Sequence, residues 1–356
     1  MIPAYLDEGY APLPDNIIFE VTYRCNLKCQ MCYLMDDYLN HGIAEISLAQ
    51  IERFLDSLPN KPNIVLTGGE AFARSDIMSI VAAVKRRGMK CCIFSNGTLL
   101  SETKIRELID LGLDSISFSL DGPKEVFEDV TLIRGSFDRL MRNLELLRAL
   151  RKDAKPKITL SCVLSHKSID NIDFLFKYVA DPDIALVSFL HLHFVTQYDS
   201  DRNDELFEKC GIPKSPPAVN RQQWGTDLEL AEKVIELRRK AQDFSKVEFL
   251  PDLDETEIRA WYGDSRNFPV RESCFYPWVT SRIAPNGSVY VCQNHVVSMG
   301  SIAENDFQEI WNNARFRFFR STLRAHGMFP GCNRCCKVKA YTRPEFPEHT
   351  FPVLFA

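Results

Sequence analysis

The stretch NIVLTGGEAFARSDIMSIVAAVKRRGMKCCIFSNG, residues 63–97, holds a strand, a helix and a second strand in one run. NIVLT (63–67) and CCIF (91–94) are short runs of β-branched and apolar residues bounded by turn residues, as strands are. IMSIVAAVKRR (77–87) carries apolar residues at helical spacing, and Gly88 follows where a helix-ending glycine belongs. A strand–helix–strand unit of this kind joins parallel strands. Outward from it the pattern repeats. IIFEV (17–21), SISFSL (115–120), ITLSCV (158–163) and LVSFLHLHF (186–194) read as strands. LAQIERFLDSL (48–58), TKIRELIDLG (103–112), SFDRLMRNLELLRALRK (136–152) and NIDFLFKYVA (171–180) read as helices. Six strands with helices between them predict an α/β fold on a parallel sheet with right-handed crossovers. An open or closed barrel is favoured over a flat doubly wound sheet.

The 356 residues are 45% hydrophobic and 26% charged, an ordinary globular composition with ample core. A net charge of −5 gives no pull toward nucleic acid or an anionic membrane. No apolar stretch reaches the ~18 residues of a spanning helix. The first residues carry Asp7 and Glu8 and no basic segment before an apolar run, so a signal peptide is not expected. The expected location is the cytoplasm, a reducing compartment where disulfides are disfavoured. Twelve cysteines therefore need another account. Seven fall in two groups with ligand-like spacing, Cys25, Cys29, Cys32 and Cys274, Cys292, Cys332, Cys335, and metal or cluster binding explains them best.

Residues 1–15 read as an N-terminal extension and 16–244 as the barrel, with residues 198–224 an irregular, Pro-rich lid loop before a helix over 227–244. Residues 245–273 read as a linker around the short apolar piece VEFLP. A smaller domain spans 274–340, and 341–356 is a tail. In this smaller domain SRIAPNGSVYVC is a hairpin signature, with Asn286-Gly287 suited to a type I′ turn; a helix over 306–325 follows.

VTYRCNLKCQMCY (21–33) places three thiols just past the first strand, and α/β folds bind ligands at the carboxyl ends of their strands. Three thiolates suit a [4Fe–4S] cluster with one open iron, whereas structural zinc takes four ligands. A zinc loop or plain buried thiols are the alternatives.

CNLKCQMCY resembles the CxxxCxxC signature of the radical S-adenosylmethionine (SAM) superfamily, with Tyr33 at its trailing aromatic position. Thr67-Gly68-Gly69-Glu70 resembles the family's GGE motif, which holds the amino group of SAM; Ala71 stands where a proline is usual. Ser95-Asn96-Gly97-Thr98 and the SFSLDG run with Ser119 and Asp121 resemble positions lining the SAM nucleoside and ribose. Ser161 and Arg134 are further positions of this kind. Each alone is also ordinary turn chemistry. The resemblance covers residues 16–195 and implies a partial (β/α)6 TIM barrel that binds SAM at the first cysteine group.

Cys274, Gly287 and Cys292 resemble the opening of the SPASM domain, and the following helix also fits. CNRCC (332–336) ends the pattern with no later cysteine, so the resemblance is to a SPASM/twitch-type domain with one auxiliary [4Fe–4S] cluster on Cys274, Cys292, Cys332 and Cys335. Cys336 is the alternative to Cys335, and a zinc ribbon is the alternative to the cluster.

Cys91, Cys92 and Cys162 read as core residues. Cys210 and Cys336 are candidate hydrogen-atom donors, Cys210 more simply a surface thiol. His191 and His193 share strand parity and so are expected on one side, as substrate contacts or as packed histidines. What the resemblance implies is reductive cleavage of SAM to a 5′-deoxyadenosyl radical that takes hydrogen from substrate, with SAM and two [4Fe–4S] clusters as cofactors and a flavodoxin- or ferredoxin-type electron donor. Oxidation of a small sugar, cyclitol or alcohol is favoured over epimerisation and over maturation of a ribosomal peptide. A peptide maturase is disfavoured because no leader-binding domain precedes residue 16 and seven C-terminal cysteines are not present. A non-catalytic Fe–S or zinc protein is the remaining class.

Overall fold

The computed structural model describes residues 8–32, 34, 42–214, 227–263 and 273–341. Its sheet grows from β1 (Asn16–Thr22), every residue of which is buried, as a strand covered on both faces requires. On one side β1 pairs in parallel with β2 (Asn63–Gly68), and β3 (Cys91–Ser95), β4 (Ser115–Ser119), β5 (Lys157–Leu164) and β6 (Ile184–His191) follow in order. The intervening helices are α1 (Leu48–Asp56), α2 (Ile77–Arg86), α3 (Glu102–Asp110), α4 (Lys124–Thr131) and α5 (Ser136–Leu150), then two single turns, α6 (His166–Ile169) and α7 (Phe176–Val179). This is the expected partial TIM-type barrel.

Several segments differ from expectation: the helix expected over 171–180 is a 3-10 turn (Ile172–Leu175) followed by α7, and α4 and α6 stand where no helix is expected. The polar run after β6 is the helix α8 (Gln197–Cys210), capped by Thr196 and ended by Gly211 at φ +71°. Its buried stripe is Asp199, Asn203 and Phe207, spaced four apart but mostly polar, so apolar periodicity does not reveal it. The remaining residues of the expected lid loop, 215–224, lie outside the described residues. After α9 (Leu228–Ala241), the expected linker instead supplies β7 (Val247–Leu250), parallel to β6, and α10 (Glu255–Tyr262), opened by an Asp254–Glu257 capping box.

The smaller domain does not form a sheet of its own. After the short α11 (Tyr276–Val279), β8 (Thr280–Ile283) pairs in parallel with the free edge of β1. β9 (Ser288–Tyr290) and β10 (Ser298–Ser301) then extend the same sheet antiparallel, to ten strands among the described residues. The β8–β9 turn is not type I′. Gly287 donates its N–H to Ala284 O with Pro285 second in the turn, and of the turn residues only Gly287 has positive φ. That is a proline-led turn closed by a left-handed glycine.

The face of the sheet away from the helices is polar. Register places Glu20 beside Thr67, Ser119 beside Ser161, Ser161 beside Ser188, and Ser188 beside Glu248. On the other face Phe19 meets Phe54 of α1, and Phe189 meets Phe176 of α7. Among the described residues no helix is long and apolar enough to cross a membrane.

The N-terminal segment clasps the far end of the chain, where α12 (Phe307–Trp311) and α13 (Ala314–His326) stand in place of one longer helix. Asn312 exchanges hydrogen bonds with both backbone groups of Ala11, and Trp311 Nε1 donates to Pro12 O. Arg320, fully buried, donates to the carbonyls of Gly9, Trp311 and Pro277 and lies 4.1 Å over the rings of Trp311 and Phe316. Its replacement strands several buried carbonyls, each costing about 1–3 kcal/mol when unpaired. Arg320→Leu is expected to lower the denaturant midpoint substantially, by an equivalent of about 3 kcal/mol or more; an unchanged midpoint in urea unfolding would show that the clasp carries no stability.

Candidate active site and auxiliary cysteine centre

The first cysteine loop is held by backbone from two directions. Gly69 donates to Thr22 O at 2.8 Å and Glu70 to Arg24 O at 2.9 Å. This approach leaves no room for side chains: a Cβ on Gly68 would lie 2.1 Å from Thr22 O, and one on Gly69 2.5 Å from Arg24 O. From the other side, Lys28 and Gln30 donate their N–H groups to Thr131 O and Val130 O, end carbonyls that α4 cannot use itself.

Cys25, Cys29 and Cys32 are half-buried and close enough that each thiolate disfavours the others. Burial, then the neighbouring Glu70 and Cys32, pushes the Cys25 thiol up to about 11. Burial and Asp121 push Cys29 higher still. Thiols in this setting keep their protons unless a soft metal displaces them, so the donor set fits an iron–sulfur cluster. Among the described residues no three His, Cys, Asp or Glu side chains close on one point as a single bound ion requires.

Glu70 sits at the centre of the assembly, 1% exposed. Oε1 accepts from Phe72 N–H and from Ser95 Oγ at 2.8 Å, and Oε2 accepts from Asn96 N–H at 2.7 Å. Its burial outweighs these bonds and raises its pKa. Asn96 in turn donates to Asn26 of the cysteine loop, and Asn26 donates to Thr98. Gly68, Gly69, Glu70, Ser95 and Asn96 are thus brought together against the loop. Ser119, exposed at the end of β4, stands beside Ser161 in the middle of β5. Asp121 is buried, accepts Val163 N–H at 2.9 Å, and is pushed up to about 6 by its burial. Arg134 is exposed just before α5. Tyr33 lies outside the described residues.

The C-terminal cysteines converge on a second centre. One cavity is lined by Cys274, Cys292, Cys332 and Cys335 together with His295, Lys337, Tyr276 and Tyr341. Burial raises all four of these thiols, Cys274 to about 12; for Cys335 the hydrogen bond to Cys336 adds the largest part. Cys336 is not part of that lining. It accepts from Gln293 Nε2 at 3.4 Å, and its hydrogen bond with Cys335, then Lys337 and His193, hold it low. The CNRCC loop is fixed from outside by α8: Asn333 donates to Asp199 Oδ1 and Gly331 N–H to Asn203 Oδ1. Between the cysteines, Arg334 donates to Trp261 O. The segment expected to be a lid therefore buttresses the second centre.

The two histidines do not share surroundings, because β6 ends at His191 and the parity argument ends with it. His191 is buried among Phe249, Trp261 and Tyr262, hydrogen-bonds Tyr262 through Nδ1, and is held neutral by burial at about 3. It is a packed histidine. His193 meets Gln293 Nε2 at 2.9 Å. Cys210 stands 3.7 Å from His326 Nε2, where the last turns of α8 and α13 meet, away from the polar face.

Sequence reasoning missed a polar chain between the two centres. Tyr23 OH donates to Glu20, Glu20 pairs with Arg282, Arg282 donates to Gln293, and Gln293 reaches both His193 and Cys336. It also missed His295, 3.2 Å from Cys332 Sγ; the Cys292-x-x-His295 spacing was the available signal.

Comparison with known proteins agrees with this division. The radical SAM superfamily model matches residues 19–178, and the iron–sulfur cluster-binding SPASM domain model matches residues 274–336. An Fe-coproporphyrin III synthase of Methanosarcina barkeri is 27% identical over 58% of this chain and 51% of its own length. An AdoMet-dependent heme synthase of Oleidesulfovibrio alaskensis is 23% identical over 96% of this chain and 87% of its own. In structure, Streptococcus suis SuiB, solved with its precursor peptide SuiA, superposes with a TM-score of 0.61 at 16% identity, covering 96% of this chain and 77% of SuiB. That likeness is one of fold. The chain carries a radical SAM domain over residues 19–178 and an iron–sulfur cluster-binding SPASM domain over residues 274–336, with SAM and [4Fe–4S] clusters as its cofactors.

Proposed function

We propose that this enzyme cleaves SAM at the Cys25–Cys29–Cys32 loop and oxidises a small molecule seated on the polar face of its sheet, with one auxiliary cluster on Cys274, Cys292, Cys332 and Cys335 accepting an electron. The observation that carries the reading is the polar chain Tyr23–Glu20–Arg282–Gln293–Cys336, which runs from two residues before Cys25 to the sequence neighbour of Cys335. When bound, the clusters supply the electron that breaks the C–S bond of SAM and an acceptor for the electron left on substrate. One hydrogen atom leaves to the deoxyadenosyl group, one electron to the acceptor and one proton to solvent, so the product lacks two hydrogens.

The chain's own residues do the holding. Glycines 68 and 69 let the β2 end approach the cysteine loop, and Glu70, through Ser95 and Asn96, fixes the wall on which SAM would rest. On this reading Ser119, Ser161 and Arg134 would meet its nucleoside. The Ser and Thr hydroxyls of β4 to β6, with Glu248, would hold polar groups of the substrate. Sugars and cyclitols have that chemistry, and so do the carboxylated tetrapyrroles for which two relatives are named. Epimerisation gains no support from Cys210, which lies against His326. A flavodoxin- or ferredoxin-type donor and a reducing, cytoplasmic setting suit thiolates that must stay unoxidised.

Anaerobic reconstitution is expected to load about eight irons, two four-iron clusters. Cys335→Ala is expected to remove about four of them and Cys336→Ala none; the opposite pattern in iron and sulfide analysis would exchange the two residues' roles.

Gly69→Val forces the cysteine loop away from β2. The expected result is loss of SAM cleavage by at least ~10²-fold, as an ångström-scale displacement produces, with auxiliary iron retained. Dithionite-dependent 5′-deoxyadenosine at the unsubstituted rate would refute this account of the glycines. Mass spectrometry of anaerobic turnovers in D2O, with a cyclitol, an iron-bound carboxylated porphyrin and a peptide as separate substrates, tests the reaction itself. Loss of two hydrogens from either small molecule supports oxidation, whereas deuterium gain at constant hydrogen count, or turnover of the peptide alone, overturns it.

A further inference from the structure

Of the polar side chains at the second centre that the reading above does not use, His295 is the one whose ring is aimed at a ligand sulfur. His295 is 3% exposed, and its ring is enclosed by Phe207, Phe329 and Phe319 at centroid distances of 5.1, 5.5 and 6.1 Å. Within this apolar cage, Nε2 points at Cys332 Sγ, 3.2 Å away. The approach depends on a residue without a side chain: a Cβ on Gly331 would lie 3.0 Å from His295 Cε1. Asn294 Nδ2 locks that glycine in place through its carbonyl at 2.8 Å. A ring placed this closely, by a dedicated cage and a dedicated glycine, is an aimed contact.

Its chemistry follows from the state of the sulfur. A thiolate bound to metal carries no proton, so the proton in this contact belongs to the ring, and Nε2–H donates to sulfur. Reduction of an iron–sulfur cluster adds one negative charge, which spreads onto its sulfur atoms. A donor fixed at one of them stabilises the reduced form more than the oxidised one. Lys337 N–H, 3.4 Å from Cys335 Sγ, acts in the same sense from the backbone. The first centre has backbone and amide donors of its own, Leu27 N–H at 3.4 Å and Asn96 Nδ2 at 3.9 Å from Cys25 Sγ, but its cysteines also face the buried carboxylates of Glu70 and Asp121, which oppose added negative charge.

We propose that His295 is a positioning residue of the auxiliary cluster, donating Nε2–H to the Cys332 sulfur and thereby raising that cluster's reduction potential so that it accepts an electron. This deepens, and rests on, the reading of a second cluster on Cys274, Cys292, Cys332 and Cys335.

The test is a potentiometric titration followed by electron paramagnetic resonance on the reconstituted full chain. The auxiliary signal is identified by its disappearance in a Cys274→Ala/Cys292→Ala variant. His295→Phe fills the aromatic cage and removes the donor; His295→Gln keeps an N–H of similar reach. His295→Phe is expected to retain about eight irons. At a fixed potential its auxiliary cluster should show about a tenfold lower ratio of reduced to oxidised form, equivalent to about 59 mV for one electron. His295→Gln should recover most of the difference, and the first cluster should not move. An auxiliary midpoint unchanged in His295→Phe overturns the proposal. So does the loss of about four irons from that variant, which would make the ring a ligand. An unsubstituted chain holding only about four irons would sink the two-cluster reading itself, an outcome distinct from either.

Discussion

Everything in this molecule depends on the pairing of β8 with β1. β1 ends in the first cysteine loop, and β8 starts the hairpin that carries Cys292. Their register sets the geometry of one centre against the other. It is enforced by the buried pair of Glu20 and Arg282 on the polar face. Taking two charges out of water is costly unless every remaining donor and acceptor is used. Here Tyr23 donates to the carboxylate, and Arg282 finds Gln293 as well. A slip of one residue would turn Arg282 to the opposite face and leave both charges unpaired, so the pair acts as a register lock.

Both centres share a second constraint. Burial raises the pKa of the thiols at each, and neighbouring thiols or carboxylates raise several further. Empty sites therefore hold protonated thiols at neutral pH, and loading a cluster releases those protons. Around the first loop the scaffold provides shape through the close backbone approach of its glycines and the end carbonyls of α4, with the Asn96–Asn26–Thr98 side chains beside them.

Much of this was legible in the sequence because it is local. The β-branched runs, the helical spacing and the cysteine motifs each declare themselves within a dozen residues. What escaped was set by distant partners. VEFL is four residues long, and only pairing with β6 makes it a strand. The buried face of α8 is Asp199 and Asn203 as much as Phe207, and those polar residues are satisfied by Asn333 and Gly331, more than 120 residues away. The shared side of His191 and His193 failed because the strand stops at the first of them. The site was legible as a set of cysteines and turn residues; the polar chain from Tyr23 to Cys336, and His295, were not, since each depends on which elements fold against which.

The β1–β8 pairing has a consequence for how the chain is made. Until β8 has been synthesised, some 260 residues after its partner, β1 shows water a row of unpaired N–H and C=O groups on an apolar strand. Such an edge invites pairing with another chain, and contacts of this sequence separation form slowly. The N-terminal clasp onto Arg320 and Asn312 has the same timing. Native closure of both cysteine centres is thus a late event of biosynthesis, and the nascent barrel passes through a stage in which protection from aggregation must come from outside the chain.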